Sequence, residues 1–433
     1  MNTDQISRVE AKFKGALSEQ ALNDIGRQTG FAERMRDITP HRLALAMIAT
    51  FSSSNAETLA DIQRKFTLLT GIPVSYKPFH NQLSKAEFGE FMRKVLCHAL
   101  GLLTQTVLRP MPGSALRQFD DILLQDGSSF GIKDVLAELY PGRFSKHTPA
   151  AVELHATMSI FQDCIARVTL APDTQGERDF LPEPGSLSRK LILADRGYED
   201  RDYFARVKLA GGGFVIRCKA NANPLVKACW LADGKVRQFS GKKLKLFRAK
   251  LAGQDADLEV EHTVDGQTVS YRMVLIWNPI HQSHMILATS LDPLDFPPFV
   301  VRSIYAVRWQ VELAFKEWKS YANLRKFNTG KAPIVQGLIW ASLTAALLKR
   351  FLAHSAQVVH NVATSTRKAA MCLGDHVLLL LSSMVKKRDA TPDISSVLTY
   401  LAKCARRFDL AQEQEDGRLV AGLEVVIRGP QNV

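Results

Sequence analysis

Tyr305-Ala-Val-Arg308-Trp-Gln-Val-Glu312-Leu-Ala-Phe-Lys316-Glu-Trp-Lys319 is the stretch on which the rest of the sequence turns. At about 100° per residue, Tyr305, Arg308, Glu312 and Lys319 fall within roughly 60° of one another on a helix. Val307, Val311, Ala314 and Trp318 form a second stripe about 120° away. One face can therefore bury itself. The other presents a phenol, a guanidinium, a carboxylate and an ammonium. Alone, this could be a solvated ion-pair face, since Arg308 with Glu312 and Glu312 with Lys316 are partners one turn apart. A helix that carries an acid and three anion-binding groups on one face needs companions elsewhere in the chain before it means chemistry.

The 433 residues exceed one ordinary core, so several modules are expected. With 56 Lys plus Arg against 43 Asp plus Glu, the formal net charge is +13, which suits a polyanionic partner. The first residues, Met1 to Ile6, are polar, and a signal peptide is not expected. Neither is a membrane span; the nearest candidate, Val377 to Val385, is short. Six scattered cysteines without a Cys-x-x-Cys pair speak against a structural zinc and a disulfide scaffold. A reducing cytoplasm beside the nucleoid is the expected location.

Outward from the helix, residues 1–115 read as helical. Asn55 is a candidate cap for a helix through Leu59, Ile62, Phe66 and Leu69. Gly71 would end it, and Ser75 would open another through Leu83. That is the outline of a helix-turn-helix exposing Lys77, Asn81, Gln82 and Lys85, although an ordinary helical hairpin has the same signature. Residues 116–219 alternate strands and helices: a buried strand over 119–125 delivering Asp126, a short helix over 132–139, and a hairpin over 151–171. Then come a strand over 191–194 delivering Asp195, a helix over 200–209 and a strand over 214–218. This order predicts a mixed α/β sheet with its ligand outside the carboxyl ends of the parallel strands. Residues 220–298 turn to short alternating runs, a β-rich basic insert. It holds Lys235, Arg237, Lys242, Lys243, Lys245, Arg248 and Lys250 with no acid interleaved, which suits nucleic acid. Residues 299–345 carry the acidic helix and 346–433 are helical again.

Asp126, Asp195 and Glu312 are thus three carboxylates spread widely along the chain. Packed together out of water they stay ionised only if a cation joins them. Hard oxygen donors suit Mg²⁺ or Mn²⁺, and two such ions support in-line displacement at phosphorus without a side-chain nucleophile. There is no Walker loop, nucleophile elbow, His-Glu-x-x-His or dinucleotide fingerprint to compete.

At these residues the chain resembles the DDE transposases of bacterial insertion sequences, in the insertion-sequence-four group. The match is Tyr305-x2-Arg308-x3-Glu312-x6-Lys319, joined by Asp126-Gly-Ser, Asp195-Arg-Gly-Tyr and Phe214-Val-Ile-Arg-Cys-Lys. The resemblance implies a ribonuclease H-like core, with the β-rich insert before the last acidic helix and helical regions on both sides. It further implies two metal ions on Asp126, Asp195 and Glu312, with Tyr305, Arg308 and Lys319 on DNA phosphates. The expected activity is cleavage at transposon ends and strand transfer into target DNA by a homodimer on paired ends. An insert aromatic, Trp230 or Trp277, could stack on a flipped base. A nuclease that cuts without joining, or a DNA-binding protein without catalysis, would share much of this pattern.

Overall fold

The computed structural model describes residues 3–53, 58–231, 235–321, 329–407 and 422–425. It opens with helices α1 (Thr3–Ala16), α2 (Glu19–Gln28), α3 (Pro40–Ser52), α4 (Leu59–Thr70), α5 (Tyr76–Leu83) and α6 (Phe88–Leu103). Their starts are chemically fixed. Ser18 and Thr39 accept backbone N–H groups at the heads of α2 and α3, and Thr58 with Asp61 forms a reciprocal capping box on α4. Asn55, expected as that cap, lies outside the described residues. Gly71 ends α4 at φ 71°, a left-handed value that glycine adopts without strain. The α4–α5 pair exposes Lys77 and Asn81, with Gln82 half-buried. Lys85 departs from expectation: its Nζ donates to the Phe31 carbonyl at 2.9 Å and stands over the Phe31 ring, so its charge is held within the helical layer.

Strand β1 (Leu108–Pro110) pairs with the late strand β12 (Leu423–Val425). Between them run β2 (Asp121–Gly131), β3 (Ala151–Ser159), β4 (Cys164–Pro172), β5 (Lys190–Ala194), helix α7 (Arg201–Leu209) and β6 (Gly213–Arg217). There follow β7 (Leu225–Leu231), β8 (Lys242–Lys243), β9 (Ala256–Val264), β10 (Gln267–Asn278) and β11 (Ser283–Thr289). Among the described residues ten of these strands form one mixed sheet, ordered β4-β3-β2-β5-β6-β11-β10-β9-β7-β8. Strands β2, β5 and β6 run parallel, and the other pairings are antiparallel. The buried runs Ile122-Leu-Leu and Leu191-Ile-Leu-Ala have both faces covered, as parallel strands require. Residues 220–298 extend the same sheet rather than standing apart, because β11 pairs directly with β6. The expected helix over 132–139 is only a single 3₁₀ turn, Asp134–Leu136.

Helix α8 (Pro298–Ala306) and helix α9 (Trp309–Tyr321) follow, then α10 (Ala332–His360), α11 (Thr366–Cys372), α12 (Gly374–Val385) and α13 (Thr391–Cys404). The expected single helix over 305–319 is therefore two. The N–H groups of Val307, Arg308, Gln310 and Val311 each bond the carbonyl three residues back, a 3₁₀ tightening between α8 and α9. No Gly or Pro marks it in the sequence, and Val307, Val311, Ala314 and Trp318 are buried across it.

Helix α10 is the axis of the helical layer, packed on α3, α6 and α13. A Cβ at Gly337 would stand 2.1 Å from the Phe88 ring, so the two helices meet almost backbone to ring. Among the described residues α10 alone is long and apolar enough to cross a membrane, and 83% of its most apolar window is buried inside the protein. Helices α1–α6 and α10–α13 thus share one hydrophobic core with the near face of the sheet.

Candidate active site

Strand parity places the first two acids. Ile122 and Leu124 pack into the core on the α9 side of the sheet, and Asp126, two residues on, points the same way. Leu191 and Leu193 do likewise on β5, so Asp195 follows suit. The parallel register pairs Leu124 with Leu193 and Gln125 with Ala194, so one further step sets Asp126 beside Asp195. Strand β2 does not end at Asp126, as expected from sequence; it continues to Gly131 along β3. The strand that ends is β5, whose chain turns at Asp195 into a 3₁₀ turn, Arg196–Tyr198. That ending opens the sheet beside Asp126.

Helices α8 and α9 bring the remaining groups. Tyr305 Oη donates to Asp195 Oδ1 at 3.2 Å. Arg308, in the tightened turn, donates through Nη1 to Asp126 Oδ2 at 3.1 Å and through Nη2 to Glu312 Oε1. Lys319 Nζ donates to the Ser129 carbonyl at 3.2 Å, at the outer end of β2. Arg217, at the end of β6, brings Nη1 to 3.8 Å from Asp195 Oδ1. Sequence inspection held Arg217 only within the quoted segment Phe214-Val-Ile-Arg-Cys-Lys and gave it no place at the site; a strand-end arginine carries no periodic signal. Cationic groups therefore flank the acids on both sides.

Burial pushes the Asp126 carboxyl up to about 6. Arg308 and the Gly127 N–H oppose that rise, whereas Glu312 and Asp195 add to it. Burial also raises the Tyr305 hydroxyl, with Asp195 contributing, so the phenol keeps its proton. For Arg308 burial works against the charge, but the Glu312 and Asp126 carboxylates outweigh it and the guanidinium is held more firmly protonated.

Among the described residues no group of three acidic, histidine or cysteine side chains is arranged to hold one metal ion together. The Arg308 guanidinium spans Asp126 and Glu312. The donor chemistry nevertheless fits a hard divalent cation, since the three acids are all carboxylates and burial makes the charge on Asp126 costly.

A family described as "Transposase DDE domain" matches residues 117–348. The chain belongs to the DDE transposase family. The transposase for insertion sequence element IS231B of Bacillus thuringiensis subsp. berliner is 20% identical, over 95% of this chain and 92% of its own. The transposase for IS1151 of Clostridium perfringens is 19% identical, over 79% and 80%. A putative transposase InsL for IS186A of Escherichia coli (strain K12) is 37% identical over 65 residues, 15% of this chain and 18% of that one. Among solved structures, the piggyBac transposase synaptic complex with hairpin DNA is similar at a TM-score of 0.48 and 12% identity, over 93% of this chain and 86% of that one.

Other charged groups of this transposase stand apart from the cluster. Asp120 pairs with Arg189 and Asp121 accepts from the Ile122 and Phe161 N–H groups, both at the far end of β2. Lys242, Lys243 and Lys245 are exposed on and just after β8, the last strand of the sheet, with four strands between them and β6. They are not part of the acidic cluster. Trp230 is partly exposed on a cleft of about 750 Å³ that also includes Tyr271, Arg272 and Leu294. Trp277 is half-buried, edge-on to His284. A buried network that sequence inspection also missed secures α9: Arg350 reaches Glu317 Oε2 at 3.0 Å and Asp163 Oδ1 at 3.2 Å, and His354 reaches Asp163 Oδ2 at 3.3 Å.

Proposed function

We propose that Asp126, Asp195 and Glu312 are the catalytic carboxylates of this transposase, on a ribonuclease H-like core, and that they hold two divalent ions, Mg²⁺ or Mn²⁺. Bound there, the ions supply charge stabilisation for in-line displacement at phosphorus, first by water at a transposon end and then by the freed 3′-hydroxyl at target DNA. The observation that carries the proposal is convergence. Residues 126, 195, 305, 308 and 312 are far apart in sequence, yet Tyr305 bonds Asp195, Arg308 bonds Asp126 and Glu312, and the Arg308 guanidinium stands over the Tyr305 ring, while Lys319 bonds β2 at the Ser129 carbonyl.

Each side chain has a role in keeping with its place. Tyr305, with its retained proton, orients the Asp195 carboxylate. Lys319 on the β2 side and Arg217 on the β6 side form a positive gutter in which a DNA backbone lies across the acids. Arg308 presents a two-pronged guanidinium suited to phosphate. Lys242, Lys243 and Lys245, remote from the acids, bind DNA farther along the duplex, and α4–α5 approaches it through Lys77 and Asn81. Two copies on paired ends complete the working assembly.

The test is a joining assay with Mg²⁺ and a duplex ending in the inverted repeat beside the coding sequence. Nicked and joined products are expected from the wild type, and neither from Asp195→Asn. Nicks without joined product would leave only a nuclease, and equal behaviour of both proteins would remove the catalytic assignment.

A further inference from the structure

We propose that Arg308 is a mobile counter-ion that makes divalent-cation binding depend on DNA binding. The proposal rests on the assignment of Asp126, Asp195 and Glu312 as cation ligands. Arg308 binds Asp126 Oδ2 and Glu312 Oε1 simultaneously, two oxygens contributed by the sheet and by α9. A guanidinium and a divalent ion cannot both take these oxygens, because two positive centres would then share one largely buried site. While Arg308 spans them, Glu312 is joined to Asp126 through the guanidinium.

Arg308 is built to leave. It sits in the 3₁₀ turn between α8 and α9 and not within a regular helix, so a local backbone adjustment re-aims it. Its Nε–H is buried without a partner, so this end of the fork is not anchored. The guanidinium also stands over the face of Tyr305, 5.8 Å from the ring centroid. It also has a destination. A planar fork binds phosphate through paired N–H···O bonds as well as it binds carboxylate. Arg217 and Lys319 flank the acids and bring a phosphodiester within its reach. A phosphate that draws the guanidinium away releases Asp126 Oδ2 and Glu312 Oε1 together. The two binding events are then coupled, and coupling is reciprocal: DNA raises cation affinity by the factor by which the cation raises DNA affinity. The consequence is a transposase whose cleaving centre assembles only on its substrate.

The test measures Mn²⁺ binding to the full-length protein by the loss of the free-ion electron paramagnetic resonance signal. It is run with and without a duplex ending in the inverted repeat beside the coding sequence. Wild type is expected to bind Mn²⁺ at least about tenfold more tightly with the duplex than without it. Arg308→Gln should bind Mn²⁺ without DNA about tenfold more tightly than wild type, and the duplex should then add little. Arg308→Lys keeps a charge but cannot span both oxygens, and should fall between them; it also serves if the glutamine variant does not fold, as judged by its melting. Wild-type affinity that is the same with and without DNA, or variants no tighter than wild type, would overturn the coupling while leaving the ligand assignment intact. Mn²⁺ binding unaffected by Asp126→Asn would instead overturn the ligand assignment.

Discussion

Single residues decide the character of both faces of β2. On one face, Asp126 and Asp195 stand side by side because two strands share a register and a parity; shifting either by one residue would turn its acid to the opposite face. On the other face, His155 lies across from Gly127 with its ring stacked on Phe180 at 3.7 Å. Burial, then the nearby Arg143, pushes its imidazole down to about 4. The sign follows. The folded His155 resists a proton that the unfolded chain accepts near 6.5, so its contribution is intact above that pH and is lost as pH falls toward 4. His155→Asn should therefore lose less stability than wild type over this window, by on the order of 3 kcal/mol. Urea unfolding at pH 7 and pH 4.5 checks it; parallel losses in the two proteins would mean that His155 titrates normally in the fold.

Elements carry the next level of control, and α9 is the decisive one. It must hold Glu312 at the sheet, and its anchor is the buried pair Glu317–Arg350, extended to Asp163 and His354. Glu317→Ala leaves Arg350 short of one counter-charge in a dry layer and should cost about 3–5 kcal/mol. Replacing Glu317 and Arg350 together by apolar residues of similar size should cost far less, because the uncompensated charge goes with them. Thermal unfolding of the three variants measures this; a double variant as unstable as the single one would show that the charges themselves are required. How legible these elements were varies for physical reasons. The strands before Asp126 and Asp195 announced themselves as short apolar runs ending in acids, and the buried stripe Val307, Val311, Ala314 and Trp318 appeared at helical spacing. The break at Val307 did not, because no Gly or Pro marks the 3₁₀ bonding there. The β11–β6 pairing, the place of Arg217 and the Glu317–Arg350 pair were hidden as well, since each is a contact between residues far apart in sequence.

At the scale of the whole molecule, the helical layer and the sheet are interdependent. Helices α1–α6, proposed above to meet DNA through α4–α5, do not have a core of their own. Phe88 and Phe91 of α6 are buried in the core that α10 lines, and Gly337 exists at the closest crossing. Removing residues 1–103 should therefore strip the apolar α10 and yield aggregated or unfolded protein rather than a separate catalytic core. A soluble, cooperatively melting product of that deletion would contradict the shared core. The same architecture sets the alignment of β2, β5 and α9 on which the proposed chemistry depends. Crystals of the transposase with an end duplex and Mn²⁺, examined by anomalous scattering, test it most directly. Peaks are expected about 2.0–2.3 Å from carboxylate oxygens of Asp126, Asp195 and Glu312, with Arg308 turned to a phosphate. Peaks elsewhere, or Glu312 still tied to Arg308 while a cation sits on the aspartates, would contradict it.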